Sequence, residues 1–388
     1  MKVLEILALI SAFILFYSYI GYGLVIWGMA HIKKWRSLVD LTDEDLPTVT
    51  HVIAAYNEED VIEDKINNCY TIDYPAEKVQ TIIVADGSSD RTVDIIKKHP
   101  RVTLYFSPER KGKLNAVDRV MKEVDTPITI FSDANAMINE NAFRDMVKHF
   151  QNNRVGAVAG EKVVLNEEKE DAAGAGEGMY WKYESALKRF DYQVNSVVGA
   201  AGELFAIRTH LFETPEPDTL IEDFVITLNV AKQGYIVAYE SKAQAREYAS
   251  ASVQEEMKRK VRISAGGLQA VWRLRTLLNP FKHGMLTFQY VSHRVLRWTL
   301  APLSLLLFLI ASIALSKEGM LFYQVLLVLQ VLFYLTALAG YYTETYKIHF
   351  KAFFIPFYFM VMNVSVYLGF AKLVSGDYQV TWDKAKRR

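Results

Sequence analysis

Ile128-Thr129-Ile130-Phe131-Ser132-Asp133-Ala134-Asn135 reads as a buried strand that ends in a carboxylate. Its β-branched residues and Phe make the short apolar run expected of a parallel strand covered on both faces. In open α/β sheets the ligand crevice lies outside the carboxyl ends of the strands. An acid at that point is well sited to hold a hard divalent cation and the phosphates it bridges. An Asp opening a solvated turn would give the same letters, so the flanking segments have to decide between the two.

Upstream, Thr48 to Ala55 is a run of β-branched and small residues that breaks at Tyr56-Asn57-Glu58-Glu59. Val61, Ile62 and Ile66 follow at helical spacing, closed by Tyr74-Pro75. Val79 to Ala85 repeats the buried-strand pattern and ends at Asp86-Gly87-Ser88-Ser89-Asp90, where a Ser can cap a helix carrying Val93, Ile95 and Ile96. Val102 to Phe106 predicts a third strand and Ala116 to Val124 a helix, ahead of the strand that opened the reading. Strands and helices alternate with short connections, so the pattern predicts an α/β doubly wound sheet with helices on both faces.

Downstream, 166–178 is acidic and Gly-rich and is expected to be a mobile loop. A helix from about Met179 to Arg189 is expected next, then a Gly/Ala-rich strand from Ser196 to Ile207. Glu222-Asp223 opens a helix with Phe224, Val225, Leu228 and Val230 on its apolar positions.

The 388 residues are 51% hydrophobic and 13% aromatic, with the apolar excess at the two ends. From Val3 to Ala30 only Glu5 is charged, longer than the ~20 residues that cross a bilayer and longer than the apolar core of a cleaved signal peptide. An uncleaved membrane anchor is therefore expected over 1–30. The basic cluster His31, Lys33, Lys34 and Arg36 follows at once and puts the middle of the chain in the cytoplasm, with the protein in the cell (inner) membrane. Residues 31–47 are a polar linker.

Within 255–298, Lys258, Arg259, Lys260, Arg262, Arg273, Arg275, Lys282, His283, His293, Arg294 and Arg297 are interleaved with aromatics. This predicts helices in the headgroup region, in preference to a nucleic-acid face. Apolar segments at about 300–315, 320–341 and 353–374 predict spans across 299–375, ahead of a basic tail over 376–388. Four crossings would leave that tail outside, against its charge, unless one segment is re-entrant or interfacial. With 44 basic and 44 acidic residues the chain has no bulk affinity for nucleic acid, and one Cys (Cys69) excludes an intrachain disulfide and a Cys-based zinc cluster.

The loops around Asn57, Asp86 and Asp133 fall at carboxyl ends of successive strands, and Arg110-Lys111-Gly112-Lys113 adds cations beside a Gly, suited to a diphosphate. No Walker, Rossmann, Gly-x-Ser-x-Gly or His-Glu-x-x-His motif is present. From about Val49 to Ala270 the chain resembles the family 2 inverting glycosyltransferases, the membrane-bound class that contains hyaluronan, cellulose and poly-N-acetylglucosamine synthases, and the resemblance implies a GT-A fold over 48–254. Ala55-Tyr56-Asn57-Glu58 is similar to the family's first nucleotide-binding segment. Asp86-Gly87-Ser88-Ser89-Asp90 is similar to its second, with Asp86 on the base or ribose, and Gly112-Lys113-x-Asn115-Ala116 to the lysine-bearing segment. Asp133 and Asn135 stand where the metal-binding Asp-x-Asp is expected, with Mg2+ or Mn2+ as the implied cofactor.

Glu222-Asp223 stands where the catalytic base resides, and either carboxylate fits that role. Arg262 matches the Arg of the acceptor motif Gln-x-x-Arg-Trp, whose Trp is replaced by Ile263. Glu203 is expected to meet the acceptor or to lie on the surface, and Trp181 to stack a sugar. The resemblance thus implies sugar transfer from a nucleotide diphospho-sugar, with UDP as the expected nucleotide, to a growing polysaccharide, with export coupled to it. A single addition to a lipid-linked or glycolipid acceptor is the alternative, favoured by Ile263. A further alternative is a catalytically degenerate scaffold in a secretion complex, for which Asn135 and Ile263 would be signs of decay.

Overall fold

The structure is a computed structural model that describes residues 1–33, 38–165, 172–248, 252–346 and 351–378. Its centre is a sheet of eight strands: β1 (Val49–Ala55), β2 (Val79–Asp86), β3 (Val102–Ser107), β4 (Ile128–Asp133), β5 (Met137–Ile138), β6 (Val155–Leu165), β7 (Leu204–Arg208) and β8 (Ile236–Tyr248). They lie in the order β3-β2-β1-β4-β7-β6-β8-β5. The first four are parallel, β7 runs against both β4 and β6, and β8 is parallel to β6. This is the GT-A-like mixed sheet that the resemblance implied; the alternation of elements implied a mostly parallel sheet, which describes β1 to β4 only.

Alternate side chains of the buried strands feed two cores, because successive residues of a strand point to opposite faces. Val52, Val84 and Ile130 join the large cluster with Val117, Phe205 and Leu228. Ile53 and Ile83 join Ile62, Ile66 and Ile96 on the other face. The order β2-β1-β4 makes β1 the point where the chain's winding reverses. The ends of β1, β2 and β4, at Ala55, Asp86 and Asp133, therefore open on one crevice.

Several expectations are corrected. Ser196 to Ile207 is not one strand: only Leu204–Arg208 pairs in the sheet, and the chain before it is a loop in which Gly199 has φ +91°. Residues 166–171 of the expected mobile loop lie outside the described residues, but its Ala/Gly-rich remainder is helical within Ala172–Val194. Once a packed helix exists, each added residue gains a hydrogen bond, and the three Ala residues at its start are strong helix formers. The helix after Arg110 begins at Lys113 and ends at Met121, so the lysine sits on its first turn. The long strands β6 and β8 had no counterpart in the reading of the sequence.

The basic stretch after residue 255 is not uniformly an interfacial face. It opens with the helix Val253–Arg273, but His293, Arg294 and Arg297 turn inward onto the Ala172–Val194 helix. Arg297 pairs with Glu184 at 2.5 Å and Arg294 at 3.1 Å, while the His293 ring lies 3.2 Å from Glu184 and 2.6 Å from Asp191. Trp272 and Phe281 are exposed, as a headgroup position would have them. Burial raises the Glu184 carboxyl, but Arg294, Arg297 and His293 together hold it well below the ordinary carboxylate range. Its contribution to stability is therefore present at neutral pH and lost only in acid, as pH falls below its unfolded value of ~4.3. Glu184→Ala removes the carboxylate that Arg294, Arg297 and His293 share and is expected to cost about 3–5 kcal/mol. Equilibrium unfolding of the detergent-solubilised variant checks this, and a change under about 1 kcal/mol would contradict the role.

Among the described residues, four helices are long and apolar enough to cross a membrane: Lys2–Ile32, Leu300–Lys317, Leu321–Thr345 and Ala352–Ser375. The second half of the first presents one face to the domain and leaves Ile20, Leu24, Val25 and Trp27 exposed on the other. Tyr22, Ile26 and Ala30 are fully buried against the domain with Leu187 and Val194, and Tyr183 donates to the Tyr19 carbonyl at 2.8 Å.

Candidate active site

The first two loops of the crevice are laced together. Asn57 adopts φ +52°, a conformation that Asn tolerates better than most residues. Its Oδ1 accepts from the Ser89 amide at 2.8 Å, and its own amide donates to Ser88 Oγ at 3.1 Å. The Glu58 amide donates to Thr92 Oγ1 at 2.8 Å. Tyr56, next to Ala55 at the end of β1, has the Arg110 guanidinium 3.8 Å from its ring centroid. Asp86, almost fully buried, accepts from the amides of Lys111 and Gly112 at 3.0 and 2.6 Å, with Arg119 at 3.5 Å. Gly87, at φ +71°, is required there: any Cβ would lie 2.7 Å from the Arg110 backbone nitrogen.

Asp133 is held from beneath. His51 bonds Ser132 Oγ at 2.8 Å, and the fully buried Lys65 donates to the Ala136 carbonyl at 2.5 Å. Burial pushes the Lys65 ammonium down to about 8, against the opposing pull of Cys69 and Asp133. Lys113 Nζ bridges two elements, 2.6 Å from Asp133 Oδ1 and 2.9 Å from Glu222 Oε1. Glu222 and Asp223 form the first turn of the helix Glu222–Lys232, where the macrodipole favours acids. Gly202 closes the recess: a Cβ there would lie 3.1 Å from Lys113 Nζ and 3.4 Å from Asp223 Oδ2.

The two neighbouring acids diverge. Burial raises Glu222, but Lys113 and Arg262 outweigh it and hold the carboxyl below its ordinary value. Asp223 is pushed up to about 7, first by burial and then by the charge of Glu222, with Lys113 only partly compensating. Asp133 is likewise raised by burial despite Lys113.

Glu203 is largely but not fully buried, its side chain 12% exposed. Lys162 on β6 contacts it at 2.6 Å and also pairs with Glu247 on β8. Lys162 Nζ lies 5.1 Å from the Trp181 ring centroid, so the aromatic and the acid share one cation. Lys162 was not singled out from the sequence; its signal is a Glu-Lys pair inside an otherwise apolar strand. Arg262 donates to the Leu220 carbonyl at 3.0 Å, just before the Glu222 helix, and its Nε is a buried donor with no protein acceptor. Ile263 is half-buried one residue on, about 100° around the helix, and so faces away from Leu220. Asn135 is half-buried two residues past Asp133. The contacts thus join Asp133, Lys113, Glu222 and Asp223 into one cluster, with the Asn57 and Asp86 loops beside it and Glu203 and Arg262 at its edge.

Among curated proteins, the poly-β-1,6-N-acetyl-D-glucosamine synthase of Staphylococcus aureus is 26% identical over 247 residues, 60% of this chain. The counterpart in Staphylococcus epidermidis is 25% identical over 249 residues, 61% of this chain. Each match spans 58% of the relative's own length. Among solved structures, a mannosyltransferase from Pyrobaculum calidifontis, in complex with GDP-Man and Mn2+, shares the fold with a TM-score of 0.73. It covers 97% of this chain and 100% of that one at 20% identity. Residues 50–214 match the model described as Glycosyl transferase family 2, and the chain carries a domain of that family.

Proposed function

We propose that the protein is a membrane-integrated inverting glycosyltransferase that moves a sugar from a nucleotide diphospho-sugar to a hydroxyl of a glycan acceptor. The observation that carries this is the split between Glu222 and Asp223. One carboxylate is tied to Lys113, and its neighbour is raised to about 7, the value suited to a general base near neutral pH.

The recess also fits a divalent cation. Asp133 and Asp223 are both raised, first by burial and then by a neighbouring acid, Glu203 for Asp133 and Glu222 for Asp223, and Asp133 with Asn135 supplies oxygen donors. Mg2+ or Mn2+ is commonly held by one or two carboxylates together with substrate phosphates. When bound, such an ion supplies charge neutralisation to the leaving diphosphate. The GDP-Man and Mn2+ bound to the Pyrobaculum enzyme support a nucleotide-sugar donor and a divalent metal, and the name of the staphylococcal relatives supports a glycan product.

In this reading the Asn57 and Asp86 loops hold the nucleoside, the UDP of a UDP-sugar. Lys113 uses two of its three donors on Asp133 and Glu222, and the third is left for a phosphate oxygen. The unmatched Arg262 Nε completes its hydrogen bonding on the same diphosphate. Asp223 takes the proton of the attacking hydroxyl. The acceptor oxygen forms a bond to the sugar's anomeric carbon in line with the bond that breaks, and the nucleoside diphosphate leaves with the electron pair of that broken bond. Glu203, fixed by Lys162, and Trp181 form the acceptor side.

Because Asp223 acts deprotonated, kcat/KM of the full-length protein is expected to rise with pH through about 7. A flat profile from pH 5.5 to 8.5 would remove Asp223 from the role.

The basic residues His31 and Lys33 at the end of the first helix support a cytoplasmic domain. In a Cys69→Ser background, Glu318→Cys, in the turn after Leu300–Lys317, is expected to react with an impermeant reagent on intact cells. Asp218→Cys is expected to react only after lysis, and the reverse pattern would overturn the orientation.

A further inference from the structure

Glu222 and Asp223 follow directly on a loop, 218–221, to which the sheet contributes no hydrogen bond among the described residues. The loop is held instead by one face of the helix Val253–Arg273, through residues spaced i, i+4, i+7 and i+11. Arg262 donates to the Leu220 carbonyl at 3.0 Å, and Gln269 accepts from the Leu220 amide at 3.1 Å. Both backbone groups of Leu220 are thus taken by side chains of that helix. Gln269 also donates to the Asp218 carbonyl at 2.9 Å. Arg273 forks, with one branch 2.5 Å from the Asp218 carboxylate and the other 2.9 Å from Thr219 Oγ1. Tyr378, beyond the last helix, adds a bond to Asp218 at 3.3 Å. Gly266 lets the two backbones close up: a Cβ there would lie 2.8 Å from Ile221 Cγ2 and 3.1 Å from Leu220 Cβ.

The same helix also acts on the residue after Asp223. Gly267 leaves no room for a Cβ against the Trp298 ring, and that ring meets Phe224 edge-on with 5.3 Å between centroids. Asp223 therefore lies between two contacts with Val253–Arg273, the hydrogen-bonded one at Asp218 to Leu220 and the packed one that reaches Phe224 through Trp298. The helix is itself fixed by close packing, since a Cβ on Gly369 of the last helix would lie 2.7 Å from the Ala265 nitrogen. Its position sets where the two carboxylates stand relative to Lys113, which bonds Glu222 from a separate helix, Lys113–Met121.

We propose that Gln269 and Arg273 are positioning residues for the transfer, holding Asp218 to Leu220 so that the Asp223 carboxylate meets the acceptor hydroxyl. The proposal rests on the transferase reading above and names residues that act through its base. The contacts of both side chains end on 216–220, away from the Asn57, Asp86 and Lys113 loops, so their loss leaves the donor pocket in place. A group that places a base without contacting the donor is felt in the chemical step, where a misplacement of ~1 Å can cost about 10²-fold. Gly266 gives an independent handle. Gly266→Ala breaks no hydrogen bond and favours the helix, yet its methyl presses on Ile221.

The test uses the full-length protein in nanodiscs, a UDP- and GDP-sugar panel, Mn2+ and a membrane extract as acceptor. Gln269→Met and Arg273→Met are expected to lower kcat by at least about tenfold, while affinity for UDP or GDP, matching the active donor, changes by less than about twofold. Gly266→Ala is expected to share that pattern. In an Asp223→Asn background Gln269→Met is expected to cause no further loss, because it acts through that carboxylate. Thermal unfolding with and without the nucleotide verifies the fold of each variant. Wild-type kcat in the folded Met variants, nucleotide affinity that falls in step with kcat, or a further loss of about tenfold in the Asp223→Asn background overturns the positioning role. Where a Met variant does not fold, Gly266→Ala decides, and wild-type kcat in that variant overturns the role. Absence of nucleoside diphosphate release from the wild type with every donor sinks the transferase reading, and the positioning role with it.

Discussion

Asp223→Asn is expected to lower turnover by at least ~10²-fold while leaving nucleotide-sugar affinity unchanged, because a general base acts on the acceptor hydroxyl and not on the diphosphate. The substitution is nearly isosteric. It also removes a buried charge that the fold disfavours: the Asp223 carboxyl is raised to about 7, so the native state holds its proton more tightly than the unfolded chain does. That difference costs stability as pH climbs from the ordinary carboxylate range to about 7, and Asn abolishes it. The variant should therefore be at least as stable as the wild type at neutral pH, which separates lost chemistry from lost fold. Isothermal titration with UDP and a turnover assay read the two effects. If donor binding collapses with turnover, Asp223 belongs to the nucleotide pocket and Glu222 becomes the base.

Asp133→Ala is expected to abolish transfer together with metal-dependent nucleotide binding. Asp133 ends β4 beside the ends of β1 and β2, and it shares Lys113 with Glu222 at 2.6 and 2.9 Å. Removing it takes away the only carboxylate of the Asp133-Ala134-Asn135 stretch and frees Lys113 to pair with Glu222 alone. Its surroundings should persist, since His51, Lys65 and Asn68 hold the following loop through Ser132, Ala136 and Ile138. Near-normal turnover at saturating Mn2+ would exclude Asp133 from the site. A loss of turnover without any change in the Mn2+ dependence of nucleotide binding would leave it a structural acid.

The parallel half of the sheet was legible because its strands are buried on both faces. Val52 and Ile53, or Ile82 and Ile83, are both apolar because each faces a core. The mixed half was not legible. In β6 and β8 apolar residues share the strand with Glu161, Lys162, Glu240 and Glu247, whose ion-pair and side-chain partners are distant in sequence.

The same limit governed the site. Asp86, Lys113, Asp133 and the Glu222-Asp223 pair stand at strand and helix ends, which periodicity marks. Lys162 and Gly202 owe their positions to the way β6 and β7 cross the crevice. What separates Glu222 from Asp223 is the placement of the Lys113 ammonium and the Arg262 guanidinium nearer Glu222, and adjacent letters in a sequence carry no trace of it. The inward turn of His293, Arg294 and Arg297 was hidden likewise, since a basic residue among aromatics reads as interfacial until its buried acid is known.

The central claim is inverting transfer from a nucleotide diphospho-sugar at the Asp133–Lys113–Asp223 cluster. Its most direct test is to incubate purified full-length protein in nanodiscs with α-linked UDP- and GDP-sugars, Mn2+ or Mg2+, and a membrane extract as acceptor. Nucleoside diphosphate release is followed, and the anomeric proton coupling of the new linkage is read by NMR. The account predicts release with at least one donor, lost in Asp223→Asn, and a β-configured product. An α-configured product, or release that persists undiminished in Asp223→Asn, would contradict it.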